Sequence, residues 1–389
     1  MRFVFLSEGD LFLKEDGRDA VEIESHFARE ALERAATRSD RQGWKGQGRD
    51  NDGMYSAQTV WGRQAARSER DHPVVRTVAR GPAENELLYT LAMSASSGLF
   101  RYNLASKEEH RLFHRQDFDG CGLSCHRPSQ QVILSSRNQD HLGKLELYDE
   151  TSRRRDKLTD GDGHDSNPAH DPLSPQTVYF QSSGVARNEQ GVIVALGPAA
   201  IHKLDRDTGA MTTVLEDGHW DYLQPRKDAQ GALYFIRRPY AAQTDLPLLQ
   251  QLKAFVLLPF HLAAAIFGFL DAFSRMFAKQ SLRPAGAGKE IPLSRNRFAT
   301  FHDTTIALEK VLKKGHQLDD SVQVVPATWE LVRLDAAGHE TVLAKHVVSY
   351  DLGPAGEIIY SDGLRIWQAG TSPKKIFQGK IIQSVVLVC

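Results

Sequence analysis

The chain is expected to be all-β: a six-bladed β-propeller closed by its N- and C-terminal strands in one blade, with two helical or irregular insertions. Two observations predict it. A short apolar β-type run recurs six times, and each copy is followed by a strand–turn–strand unit of alternating polarity. Repeats are sought before motifs, because each repeat is a unit that buries its apolar face only against its neighbours.

The apolar runs are "RFVFLSEGD", "LLYTLAMS", "VILSSRN", "VYFQSSG", "LYFIRRP" and "IIYSDG", beginning at residues 2, 87, 132, 178, 233 and 358. The middle spacings of 45, 46 and 55 residues match a blade of four strands. The unit that follows reads "DLFLKEDGRDAVEIES" in blade one, then "GLFRYNLASKEEHRLFH", "KLELYDETSRRRDKLTD", "AIHKLDRDTGAMTTVLED", "WELVRLDAAGHETVLAKH" and "RIWQAGTSPKKIFQGK". Alternation around Gly, Asp and Ser turns marks half-buried antiparallel hairpins.

An inner strand precedes the apolar run in "DFDGCGLSCHRPSQQ", "HDSNPAHDPLSPQT", "HWDYLQPRKDAQGA" and "HVVSYDLGPAGE". The N-terminal blade shows outer strands without an inner one, whereas "IIQSVVLVC" at the C-terminus is an inner strand without outer ones. Joining the two completes the ring and leaves no bare sheet edge.

The stretches Leu158–Ser182, "LTDGDGHDSNPAHDPLSPQTVYFQS", and His219–Pro239, "HWDYLQPRKDAQGALYFIRRP", resemble repeats of the TolB-like β-propeller superfamily, in particular bacterial members that carry an apolar helical insertion. The resemblance excludes the two insertions and implies the fold; it brings no activity with it, since propellers host many functions.

The first insertion, residues 26–72, lies between blades one and two. "SHFAREALERAATRSD" has Phe27, Ala31, Leu32 and Ala35 on one helical face. A Gly- and Arg-rich stretch with Trp44 and Trp61 follows. From His26 to Arg80 there are 11 Lys/Arg against 7 Asp/Glu, too small an excess for a nucleic-acid binder. The aromatic residues are expected to pin this connection to the propeller wall.

The second insertion, residues 241–326, lies within blade five. It opens with "TDLPLLQQLK", a helix start, and closes with a second helical pattern, "FHDTTIALEKVLKKG". Between them, 17 uncharged residues separate Lys253 from Asp271. That is short of the roughly 20 a spanning helix needs. Both ends must also return to the same blade, so one bilayer crossing is excluded. A polar and small-residue stripe through His261, Gly268 and Arg275 leaves Phe255, Leu258, Leu262, Phe269 and Phe273 on a broad apolar face. This fits contact with an anionic membrane surface, with a protein partner or a second copy, or, as the bland alternative, packing on its own propeller, which would bury only part of that face.

Asp119, Asp165, His219, Asp221, His346 and Asp351 fall on or beside inner strands and are the candidate channel-mouth residues. Their bland role is to bond neighbouring backbone and lock blades together, which their repetition at equivalent positions favours. The alternative is an enzyme, or a metal or small-ligand binder, with its site at the channel mouth. "CGLSCH" places Cys121, Cys125 and His126 together, but its spacing suits neither haem nor zinc, so a core or channel thiol is expected. No nucleophile elbow, Walker loop, dinucleotide fingerprint or H-E-x-x-H occurs, and no catalytic residue, metal or cofactor is expected. Charge is balanced at -1, and the first residues lack a signal peptide's layout. The expectation is a non-catalytic interaction scaffold in the cytoplasm, peripheral at the inner membrane, with a protein partner or itself as its contact.

Overall fold

The structure, a computed structural model, describes residues 1–34, 73–93, 96–137, 140–149, 154–241, 298–302, 304–307 and 322–388. Met1–Tyr240 and Ala299–Cys389 form one compact unit, and Ala241–Phe298 form another. The first unit is the propeller. It holds six four-stranded antiparallel sheets, each ordered from an inner strand outward.

The apolar runs are the second strands of the blades, and both of their faces are buried. In blade three, Val132 and Leu134 pack toward Leu88 and Leu99 of blade two, while Ile133 packs toward Val178 and Phe180 of blade four. In blade four, Tyr179 turns the other way, to Leu233 and Phe235 of blade five. Phe3 and Phe5 meet Ile359 and Ile366 of blade six, whereas Val4 and Leu6 meet Leu87 and Tyr89 of blade two. A strand buried on both faces needs consecutive apolar residues, which is why these runs do not alternate.

Ring closure follows the expected route. The C-terminal strand Ser384–Leu387 pairs antiparallel with Arg2–Ser7, in the register Phe3↔Leu387 to Leu6↔Ser384. Blade one is thus built from both ends of the chain. Blade two takes its inner strand from Val74–Arg80, which the repeat pattern did not mark. Only Val78 of it is buried, and a register shift between Val75 and Thr77 interrupts its alternation. The 55-residue spacing arises in blade four, where Ser174–Arg187 and Ile193–Asp205 form an extended hairpin.

Two inner strands carry a bulge at an X-Pro step. In Gly163–Asp171 the register shifts between Ser166 and Ala169, and Asn167 has φ 48°. In Trp220–Lys227 it shifts between Leu223 and Arg226, and Gln224 has φ 51°. Proline cannot donate to a ladder, and the residue before it is steered away from the α region, so both steps sit where the strand edge is free of a partner. Gln181 Oε1 joins the bulges, accepting from Asn167 Nδ2 at 2.9 Å and from the Gln224 N–H at 3.0 Å.

Residues 26–34 are helical, begun by Ser25, whose Oγ accepts the Ala28 N–H at 3.1 Å. Phe27 packs 5.1 Å from Phe100 and 5.0 Å from His114, so the helix lies on blade two. Ala35, Trp44 and Trp61 fall outside the described residues. So do Phe255, Leu258, Leu262, Phe269 and Phe273. The second helical pattern of the blade-five insertion is corrected at its start, since Phe298–Phe301 and Thr304–Ala307 pair as a two-stranded sheet. The β-branched run Thr304, Thr305, Ile306 favours a strand there. Among the described residues no helix is long and apolar enough to cross a membrane.

Candidate functional site

All six inner strands finish at one end of the ring, around a cavity of about 640 Å³. Blade two contributes Arg80, blade three Cys125 and His126, blade four His170, blade five Arg226 and Lys227, blade six Asp351, and the closing strand Val386. The volume lies in the ordinary range for a small-molecule site.

Turn chemistry after each strand shapes the rim. His126 Nδ1 lies 2.7 Å from Ser129 Oγ and accepts the Ser129 N–H at 3.3 Å, starting the short 3-10 turn Arg127–Ser129. This turn carries Arg127, whose Nε donates to the Gly81 carbonyl at 3.0 Å. In blade five, Asp228 Oδ1 accepts the N–H groups of Gln230 and Ala232 at 2.9 and 2.8 Å, an Asx-type turn. Its Oδ2 accepts from Tyr234 Oη at 3.1 Å, and Tyr234 Oη in turn accepts from Arg333 Nε at 3.1 Å.

Five cationic side chains (Arg80, Arg127, Arg226, Lys227, Arg333) and two carboxylates (Asp228, Asp351) line the cavity. Asp351 is 1 % exposed. Its Oδ2 accepts the Leu387 N–H at 2.8 Å, and its Oδ1 lies 3.4 Å from Arg80 Nη2 and 3.5 Å from Arg226 Nε. One carboxylate thus serves two guanidinium groups, and the wall keeps a positive surplus.

Ser124 and His170 form a close pair. Ser124 Oγ lies 3.0 Å from His170 Nδ1 and accepts the His170 backbone N–H at 3.2 Å. Burial, helped by His126 and Arg206, pulls the His170 imidazole down to about 3. A histidine so depressed is neutral at pH 7 and a poor proton acceptor, which counts against Ser124 as an activated nucleophile. Among the described residues no group of three His, Cys, Asp or Glu side chains is placed to hold a metal ion.

Of the six sequence candidates, Asp351 borders the cavity; the other five lie at the starts of inner strands, toward the opposite end. Asp221 accepts the Ala199 N–H of blade four at 2.9 Å and pairs with Arg238 Nε at 2.9 Å. Asp165 accepts from Ser182 Oγ at 2.6 Å and lies 3.9 Å from Lys144 of blade three. A Cβ at Gly143 would clash with the Asp165 carbonyl, so these two blades approach at backbone distance. Asp119 pairs with Arg137 at 3.6 Å, exposed His219 with Asp217 at 3.4 Å, and His346 Nδ1 lies 2.7 Å from the Val325 carbonyl. The sequence reading missed Arg127, His170 and Arg226. The signal it passed over is the repeated position at the end of each inner strand, in "CHRP", "AHDP" and "QPRK".

No protein-family model matches the chain, and no curated protein matches it. Solved structures do. TolB from Acinetobacter baumannii is similar over 100% of this chain and 66% of that one, with TM-score 0.50 and 10% identity, so the chain spans just under two thirds of its length. A chain of a nidogen/laminin complex is similar over 100% of this chain and 98% of that one, also with TM-score 0.50 and 10% identity. A putative TolB from Agrobacterium tumefaciens covers 80% of this chain and 83% of its own, at 11% identity and TM-score 0.41. At such identities the likeness to the two structures with TM-score 0.50 speaks to the fold alone: the chain is a six-bladed β-propeller of TolB-like architecture.

Proposed function

We propose that the protein is a non-catalytic binding scaffold whose recognition surface is the channel mouth at the ends of the inner strands. The carrying observation is that every blade contributes to one cavity lined by charged donors, while the Ser124–His170 pair on its wall has a histidine too weakly basic to activate the serine. A rigid ring presenting converging groups suits recognition, since its elements fix the groups without loop motion. Affinity capture with tagged full-length protein tests this, comparing wild type with Lys227→Ala/Arg333→Ala. The expected result is a reproducible set of bound proteins that the folded double variant loses. An unchanged set would overturn the reading.

The apolar face of Phe255, Leu258, Leu262, Phe269 and Phe273 supports a second element of the same proposal, attachment to the cytoplasmic face of an anionic membrane. Flotation with vesicles containing anionic lipid, for wild type and a deletion of Leu246 to Leu282, tests it. Wild type should float and the deletion should not; equal behaviour removes the membrane from the proposal.

A further inference from the structure

The two acids of the cavity are already satisfied, Asp351 by the Leu387 N–H and two arginines, Asp228 by two backbone N–H groups and Tyr234. Among the cations, Lys227 is engaged by Asp171 at 2.7 Å, and Arg80 donates to the Leu352 carbonyl at 2.8 Å. Among the described residues, two buried nitrogens on the cavity wall have no hydrogen-bond partner, Arg127 Nη2 and His170 Nε2, and a third, Arg226 Nε, has only the long 3.5 Å approach to Asp351. His170 is 8 % exposed. They come from three successive blades. An unmet buried donor costs on the order of 1–3 kcal/mol, so a wall carrying such groups has an incentive to take an acceptor. Guanidinium groups match planar or tetrahedral oxyanions, and the positive surplus selects against a cation or a neutral base.

We propose that the channel mouth is a binding site for a small organic oxyanion, a phosphomonoester or a multivalent carboxylate, held by Arg127, His170 and Arg226. This rests on reading the mouth as a recognition surface and names the chemistry of one occupant. His170, neutral in this setting, donates or accepts through Nε2 according to its tautomer, while the two arginines supply the charge.

Titration calorimetry of the full chain at low ionic strength tests it, with inorganic phosphate in one arm and citrate in the other. Saturable 1:1 binding of at least one anion is expected, and the tighter arm assigns the ligand to phosphate or carboxylate chemistry. Arg127→Ala and Arg226→Ala should each weaken binding about tenfold or more, the loss of one charge-assisted hydrogen bond. Lys374→Ala, an exposed cation on an outer strand, should change nothing. Among the described residues Arg127 makes no ion pair, so Arg127→Ala protects the test should Arg226→Ala perturb folding. No saturable binding in either arm, or binding indifferent to both arginine variants, overturns the inference. If neither anion binds yet Lys227→Ala/Arg333→Ala still loses its captured proteins, the anion site fails and the scaffold reading stands. If an anion binds at the mouth and capture is unchanged, the reverse holds.

Discussion

The carboxylate of Asp351 accepts the backbone N–H of Leu387 at 2.8 Å, tying the inner strand of blade six to the strand that closes the ring. The same side chain faces Arg80 of blade two and Arg226 of blade five. One buried acid therefore joins both flanks of the closure to the cavity wall. Asp351→Ala would leave two guanidinium groups without their shared counter-charge. The expected loss is about 3–5 kcal/mol in chemical denaturation.

Removal of residues 384–389 would strip Arg2–Ser7 of its inner partner and expose a strand edge rich in Phe and Val. The truncated chain should melt earlier and self-associate with rising concentration. Light scattering across a melt checks this; a monodisperse monomer with the wild-type melting temperature would contradict the closure.

Asp221 is the corresponding lock between blades four and five. Its loss leaves the Ala199 N–H without an acceptor and the buried Arg238 without its counter-charge, held only by the His302 carbonyl at 3.1 Å. A double-mutant cycle of Asp221→Ala and Arg238→Ala should show coupling of about 1–3 kcal/mol, because the pair is buried and in contact. Coupling near zero would place the stabilisation elsewhere, for instance in the stacking of Arg238 over Trp329.

How much of this was legible in sequence depends on what each residue type is forced to do. Val132, Ile133 and Leu134 must all be apolar because the blade is buried on both faces, so blade number and order were readable. Val74–Arg80 was not, because only one of its residues is buried and a bulge breaks its period. The inner-strand acids were found by repetition, and Asp221 and Asp351 do bond neighbouring backbone. The cavity cations escaped notice because Arg127 sits in a turn, Arg226 beyond a bulge and Arg333 on a third strand. Arg127 and Arg226 share the ends of inner strands, but no spacing relates Arg333 to them, and only closure of the ring brings the three together.

Acid sensitivity should pass through His170. Its folded value of about 3 lies below the 6.5 of a free imidazole, owing first to burial, then to His126 and Arg206. Between those values the unfolded chain binds a proton that the folded chain refuses, so stability falls as pH falls from 6.5. By pH 5 the loss from this group should reach about 2 kcal/mol, at about 1.4 kcal/mol per unit. His170→Gln should flatten the profile over that window relative to wild type. Parallel profiles would show that His170 does not carry the effect.

The most direct test of the mouth as the recognition site uses the two thiols of the blade-three inner strand. Cys125 borders the cavity, whereas Cys121 lies four residues nearer the opposite end, its Sγ 3.2 Å from Ser135 Oγ. Maleimide labelling, resolved by peptide mass mapping with and without citrate or phosphate, reports each separately. The predicted result is slowed labelling of Cys125 with the anion present and an unchanged rate at Cys121. An unchanged rate at Cys125, or an equal decrease at both, would contradict a site at the channel mouth.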